Sequence, residues 1–194
     1  MDVHARIQAF VQLKTVVSLV STEAELLNGE YNKAGVVPFV RGGGAIRYYF
    51  MKPVAKNPDK ARPDFQICKG TRMGLHAARG WIDLKDNKEH AGEREPLIVT
   101  ALREGIEELG LKLDAVGAVF DVGPYRFSSE RTGNSKRMWL FALEMASMEE
   151  VLPMAEVDSG TAERGWMTLA EFAIVGRADH RYIMRDIERK ISAQ

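Results

Sequence analysis

The chain of 194 residues has a single cysteine, Cys68, so no internal disulfide can form. That suits a reducing compartment, and a cytoplasmic protein is expected. With 4 histidines, no CxxC and no paired-histidine motif, the sequence offers no zinc site. An excess of either charge is missing too: 27 Lys and Arg stand against 27 Asp and Glu. No net field therefore argues for nucleic acid or membrane, and a polyanionic ligand would need a local basic patch. No DNA-reading segment is apparent, so no DNA partner is expected. Long apolar runs are also lacking. The stretches Ala9-Phe10-Val11 and Val16-Val17-Ser18-Leu19-Val20 are separated by Gln12 and Lys14. Together they fall far short of the roughly 20 residues that span a bilayer. Nor do they form the clean apolar stretch of a signal peptide. No membrane partner is expected.

Hydrophobic residues make up 45% of the chain, enough for a core and too many for a disordered polymer. Ile7, Phe10, Val11, Lys14 and Val17 fit a helical period, which predicts an amphipathic N-terminal helix. We expect a helical extension over 1–34 and one domain over 35–194. The helix is expected to pack on that domain or on a second subunit, which leaves a homodimer open. Strand patterns cover 36–40 and 45–51, on either side of Arg41-Gly42-Gly43-Gly44. No helix start follows the glycines, so they read as a turn rather than a phosphate loop. Further strands are expected over 115–122, 137–145 and 163–167, with a long loop over 123–136 that holds Tyr125 and Phe127. Thr168 should cap a helix starting at Leu169, with Glu171 as its capping-box acid. Ile183, Ile187 and Ile191 mark a last helix from about Ala178. Strands mixed with helices in one domain imply a layered α/β fold.

The most informative segment is 95–111, EPLIVTALREGIEELGL. Pro96 suits a helix start and Gly110 a left-handed helix end. Leu97, Ala101, Leu102, Ile106 and Leu109 form an apolar stripe. Glu104, Glu107 and Glu108 share one face at i, i+3 and i+4, where like charges repel by about 0.2–0.5 kcal/mol per pair. Such a cluster suits a hard divalent cation, which binds carboxylate oxygen and shares its shell with phosphate.

This segment resembles the signature of Nudix hydrolases, G-x5-E-x7-R-E-U-x-E-E-x-G-U with U apolar. Glu95, Arg103, Glu104, Glu107, Glu108, Gly110 and Leu111 fill seven places in register. At about 7% per residue type, chance agreement over the six fixed places is on the order of one in ten million. Two places depart from the pattern. Gly105 occupies an apolar position, and Glu89 stands where the opening glycine belongs. Gly70, which ends Asp64-Phe65-Gln66-Ile67-Cys68-Lys69-Gly70, and Gly80, which ends Ala78-Arg79-Gly80, compete for that opening role. Gly70 is favoured because an apolar strand pattern leads into it, and either choice implies an inserted loop containing Lys85 to His90.

The resemblance implies the Nudix fold, an α/β/α sandwich with a mixed β-sheet. It also implies a Mg²⁺-dependent pyrophosphohydrolase (Mn²⁺ as substitute) that splits a diphosphate linkage in a nucleotide derivative by water attack on phosphorus. Nucleoside triphosphates, dinucleoside polyphosphates and nucleotide sugars are the candidate substrates. Glu107 and Glu108 are the implied principal metal ligands, and Glu104 is a third ligand or the general base. Arg103 would orient the cluster by pairing with Glu95. Lys69 and Arg72 would contact phosphates if Gly70 opens the motif. Glu163 is the candidate for a base supplied by a later loop, with Glu156 in reserve. The alternative function is a non-catalytic Nudix domain that binds a nucleotide as a regulator.

Overall fold

The computed structural model describes residues 2–20, 31–55, 64–76, 80–83, 93–128, 135–153 and 160–194. Among them, helix α1 (Val3–Leu13) precedes strands β1 (Val16–Ser18), β2 (Lys33–Gly42), β3 (Ala45–Pro53) and β4 (Cys68–Thr71). Three short strands follow, β5 (Met73–His76), β6 (Gly80–Asp83) and β7 (Glu93–Arg94), and then helix α2 (Leu97–Leu109). The long strands β8 (Val116–Ser128) and β9 (Ser135–Met145) lead to β10 (Thr161–Met167), α3 (Leu169–Val175) and α4 (Ala178–Ser192).

The main sheet runs β1-β8-β9-β2-β3-β10 and is mixed: β1 with β8 and β9 with β2 are parallel, the other neighbours antiparallel. β2 reads as a near-continuous apolar run because both of its faces are covered. Side chains alternate between two cores. Val36, Tyr49, Met51, Phe141 and Leu143 pack toward α1 and α2, while Val37, Tyr48, Phe50, Leu140 and Ala142 pack toward α3 and α4. The expected α/β/α sandwich with a mixed sheet is therefore present. Two neighbours share one edge of β2. Its first residues pair with β4 (Ala34 opposite Gly70) and its last with β3 (Gly42 opposite Ala45). The turn between β2 and β3 uses Gly43 and Gly44 at φ of 61° and 80°, the left-handed pair that a tight hairpin requires.

The last two helices form as their sequence patterns predict. Thr168 and Glu171 make a reciprocal capping box at the start of α3. Ile183, Ile187 and Ile191 of α4 are fully buried. Two expectations are corrected. The N-terminal helix stops at Leu13, and residues 16–18 form a strand instead of another helical turn. The β-branched pair Val16-Val17 finds the edge of β8, with Val16 opposite Val119, while Lys14 Nζ donates to the Val116 carbonyl at 2.8 Å. So 1–34 supplies a strand to the main sheet as well as a helix. The loop expected over 123–136 is mostly strand. Gly123, at φ 93°, takes up a register shift in β8 rather than ending it. Tyr125 is then a buried core residue whose hydroxyl donates to Asp186 at 2.9 Å. The inserted segment with Lys85 to His90 lies outside the described residues, as does Glu156.

Deleting the buried side chain of Ile187 should cost about 2–5 kcal/mol. Ile174 on α3 is 79% exposed, and its truncation should stay within about 0.5 kcal/mol. Urea unfolding of Ile187→Ala and Ile174→Ala checks both.

Candidate functional site

The helix α2 docks by its apolar stripe, and Gly105 sets how closely. A Cβ at Gly105 would stand 2.7 Å from Leu111 Cδ1 and 3.0 Å from Val36 Cγ2, so glycine lets the helix lie against β2. Gly110 ends the helix at φ 69°, where its N–H closes on the Gly105 and Ile106 carbonyls. Arg164 of β10 donates to the Leu109 carbonyl, and Thr161 Oγ1 donates to the Glu108 carbonyl at 3.2 Å. These contacts satisfy helix-end acceptors that lack intrahelical partners.

Glu95, just before α2, has no exposed surface. Arg103 binds it with both arms of its fork: Nε donates to Oε1 at 3.1 Å and Nη2 to Oε2 at 3.3 Å. The Met73 N–H and the Thr100 hydroxyl also donate to Oε2, at 3.1 and 2.9 Å. His4 Nε2 of α1 lies 2.9 Å from Oε1. Burial alone would raise the Glu95 carboxyl, but the Arg103 bonds and charge, with the Met73 and Thr100 donors, outweigh it and hold it below the usual value. Arg103 Nη2 also donates to the Thr71 carbonyl at 3.0 Å. That leaves Nη1 facing outward, 2.8 Å from Glu104 Oε1 and 2.9 Å from Glu107 Oε2.

Beside this pair lies a cavity of about 160 Å³ lined by Lys33, Lys69, Gly70, Thr71, Met73, Arg103, Glu104 and Glu108. Glu107 stands outside it, with its side chain 41% exposed. Of the two glycines that the sequence left open, Gly70 borders the acids: a Cβ there would collide with the Glu104 carboxylate. Gly80 sits in β6 opposite His76. Lys69 and Lys33 are the lysines among the cavity's lining residues: Lys69 Nζ donates to Gln66 Oε1 at 3.3 Å and Lys33 Nζ to Thr71 Oγ1 at 3.3 Å, and nothing in the sequence pattern singled out Lys33. Burial and the Arg177 charge push the Lys69 amine down to about 8. A larger open groove of about 800 Å³ between the Gly43-Gly44 turn and α3 and α4 holds no signature residue, so size does not identify the site.

Two sequence-derived roles are corrected. Arg72 is buried and turned inward. Its Nε donates to the Glu95 carbonyl at 2.6 Å and Nη1 to the Tyr31 carbonyl at 3.1 Å, so it braces main chain rather than phosphate. Glu163 stands opposite Lys52 in the β10–β3 register, next to Arg164 opposite Met51. Met51 faces α2, so strand alternation places Lys52 and Glu163 on the opposite face. Lys52 lies over the Phe65 ring on that side, 3.6 Å from the Glu163 carboxylate. A base acting on water near Glu104 needs hydrogen-bond reach, which this position denies.

Among the acids, Glu104 is under-compensated. Burial raises the Glu104 carboxyl to about 7; Arg103 opposes the rise, and the charges of Glu108 and Glu107 add to it. Burial, with Glu108 and Glu104 beside it, pushes the Cys68 thiol well up, so that thiol stays neutral. The donor set of Glu104, Glu107 and Glu108 is all carboxylate oxygen, which fits a hard divalent cation. As they stand, no three acid, histidine or cysteine side chains among the described residues converge closely enough to hold one.

This raised carboxyl has a consequence for stability. With the folded value near 7 and the ordinary one at 4.5, the neutral form is favoured by the fold. The contribution is fully present below pH 4.5 and is lost as pH rises through 7. In metal-free buffer with EDTA, Glu104→Gln should therefore gain stability over wild type as pH climbs from 4.5 to 8. Urea titrations of both proteins across that range check this, and a gap that does not change with pH would refute it.

No protein-family model matches the chain, and no curated protein matches it by sequence. Solved structures do match by shape. An Ap4A hydrolase from C. elegans, in a binary complex, superposes with a TM-score of 0.56 at 13% identity, over 84% of this chain and 98% of that one. The Nudix domain of NrtR from Shewanella oneidensis, complexed with ADP ribose, gives 0.56 at 13% identity, over 88% and 99%. NrtR complexed with a 27mer DNA gives 0.50 at 11% identity, over 84% of this chain and 62% of that one. The architecture of this chain is thus the Nudix fold, with the acid-rich helix α2 on one side of its mixed sheet.

Proposed function

We propose that this protein is a Mg²⁺-dependent pyrophosphohydrolase, able to use Mn²⁺ instead, that cleaves the diphosphate linkage of a nucleotide derivative by water attack on phosphorus. One observation carries the reading. The cavity beside α2 has Glu104 and Glu108 together with Lys33 and Lys69 among its lining residues. Carboxylates and lysines around one space would suit a cation and a phosphate together, as a metal-bridged diphosphate requires. Glu104, Glu107 and Glu108 would hold the ion, with Glu107 released from Arg103 to join. The ion would neutralise phosphate charge and lower the pKa of a bound water. Lys69 and Lys33 would hold the phosphate oxygens. With Glu163 on the far face, Glu104 and Glu156 remain the base candidates, and Glu104 can take that role only where it is not itself a ligand of the ion.

Nucleoside triphosphates, dinucleoside polyphosphates such as Ap4A, and nucleotide sugars are the substrate classes. A reducing cytoplasm is the proposed location, in keeping with one buried cysteine; no helix among the described residues is long and apolar enough to cross a membrane. A second reading, a regulator that binds a nucleotide without cleaving it, is favoured by the likeness to the ADP-ribose complex of NrtR.

The two readings part in one experiment. Wild type, Glu108→Gln and Glu107→Gln are given nucleoside triphosphates, Ap4A and ADP-ribose with Mg²⁺ or Mn²⁺. Turnover of at least one compound is expected, with a loss on the order of 100-fold in Glu108→Gln. Calorimetric binding of a nucleotide with no turnover across the panel would favour the regulator. Full activity in both variants would remove the site assignment.

A further inference from the structure

We propose that His4 is a positioning residue: through Glu95 and Arg103 it sets where the carboxylates of Glu104 and Glu107 stand, and hence how tightly they take a divalent cation. The inference rests on the metal-binding reading above and adds a residue from outside the signature. Glu95 is held ionised, and a carboxylate only accepts hydrogen bonds. The proton in the 2.9 Å His4–Glu95 contact therefore sits on Nε2 of the imidazole.

The donors on Glu95 are divided between its oxygens. Oε1 takes His4 Nε2 and Arg103 Nε, while Oε2 takes the Met73 N–H, the Thr100 hydroxyl and Arg103 Nη2. Because Glu95 has no exposed surface, water cannot replace a missing donor. Without His4, Oε1 keeps Arg103 as its one donor, and the pull on the two arms of the guanidinium changes. Nη1 of the same rigid fork sits 2.8 Å from Glu104 and 2.9 Å from Glu107, so a shift at Glu95 is carried outward to both acids.

The imidazole is itself held. It stacks on Trp81 of β6 with centroids 5.2 Å apart and planes within 8°. The docking of α1 also has an apolar anchor, since Ile7, one turn further along the helix, is fully buried in the core. His4 thus does something that packing does not: it supplies a hydrogen bond to a buried carboxylate across 91 positions of sequence. Groups that orient the residues around a metal site typically alter its affinity by about 10–100-fold when removed.

The test measures Mn²⁺ binding directly, from the electron paramagnetic resonance of free Mn²⁺, without relying on turnover. His4→Phe keeps the ring on Trp81 and loses the donor; His4→Gln restores a donor near the Nε2 position; Ile7→Ala removes apolar packing from α1 and takes away no polar donor. Expected are a Kd for Mn²⁺ raised about tenfold in His4→Phe, a near wild-type value in His4→Gln, and a small change in Ile7→Ala. The thermal midpoint of each variant is recorded beside its Kd. Equal Kd values in wild type and His4→Phe overturn the proposal. So does an Ile7→Ala variant as impaired as His4→Phe, since α1 docking would then be the cause. Wild type that binds no Mn²⁺ at all sinks the metal-dependent function itself, an outcome distinct from either of these.

Discussion

The buried pair of Glu95 and Arg103 is the constraint on which both fold and site depend. A carboxylate with no exposed surface costs several kcal/mol to desolvate, and only a full set of donors offsets that. The donors come from α1, β5 and α2, so the pair is complete only when these elements have met. The main chain of Glu95 is fixed as well, with its N–H given to the Met73 carbonyl and its own carbonyl accepting from Arg72. Breaking one partner of such a pair generally costs about 3–5 kcal/mol, because the other is left charged and buried. The geometry of the acids on α2 is therefore inherited from the tertiary structure and is not a property of the helix alone.

What was legible in the sequence was whatever a single element fixes by itself. Glu104, Glu107 and Glu108 share a face because helical spacing demands it. The Thr168–Glu171 box and the isoleucines of α4 are equally local. What was not legible depends on register. β1 exists because β8 offers an edge to three residues whose own pattern continues a helix. Glu163 faces away from α2 because of its place opposite Lys52, next to a register shift in β10, and sequence spacing carries no trace of that parity. Arg72 and Lys69 are three residues apart and both basic, yet only Lys69 is among the residues that line the cavity, while Arg72 braces the carbonyls of Glu95 and Tyr31. Lys33 reaches the cavity through the pairing of β2 with β4, where it stands opposite Thr71. His4 is a lone histidine in an amphipathic helix, the least specific of signals, until α1 is docked.

The arrangement around Arg103 also explains why the acids stand as they do. One guanidinium serves three carboxylates: two arms hold Glu95, and Nη1 is shared by Glu104 and Glu107. A charge divided in this way does not fully compensate Glu104: burial, with the charges of Glu108 and Glu107, still lifts its carboxyl to about 7. A proton can relieve that deficit, and so can a divalent cation on the same oxygens. The two compete, because a carboxyl that holds a proton offers less to a metal. Arg103 thus neutralises the cluster enough for the chain to fold while leaving it short of positive charge. Stronger compensation, from a second buried cation in place of Thr71 or Met73, would steady the helix and remove the reason for any ion to bind. On the proposed reading, residual repulsion among Glu104, Glu107 and Glu108 is the free energy that a bridging cation releases, and the fixed Glu95–Arg103 pair directs that release to one place.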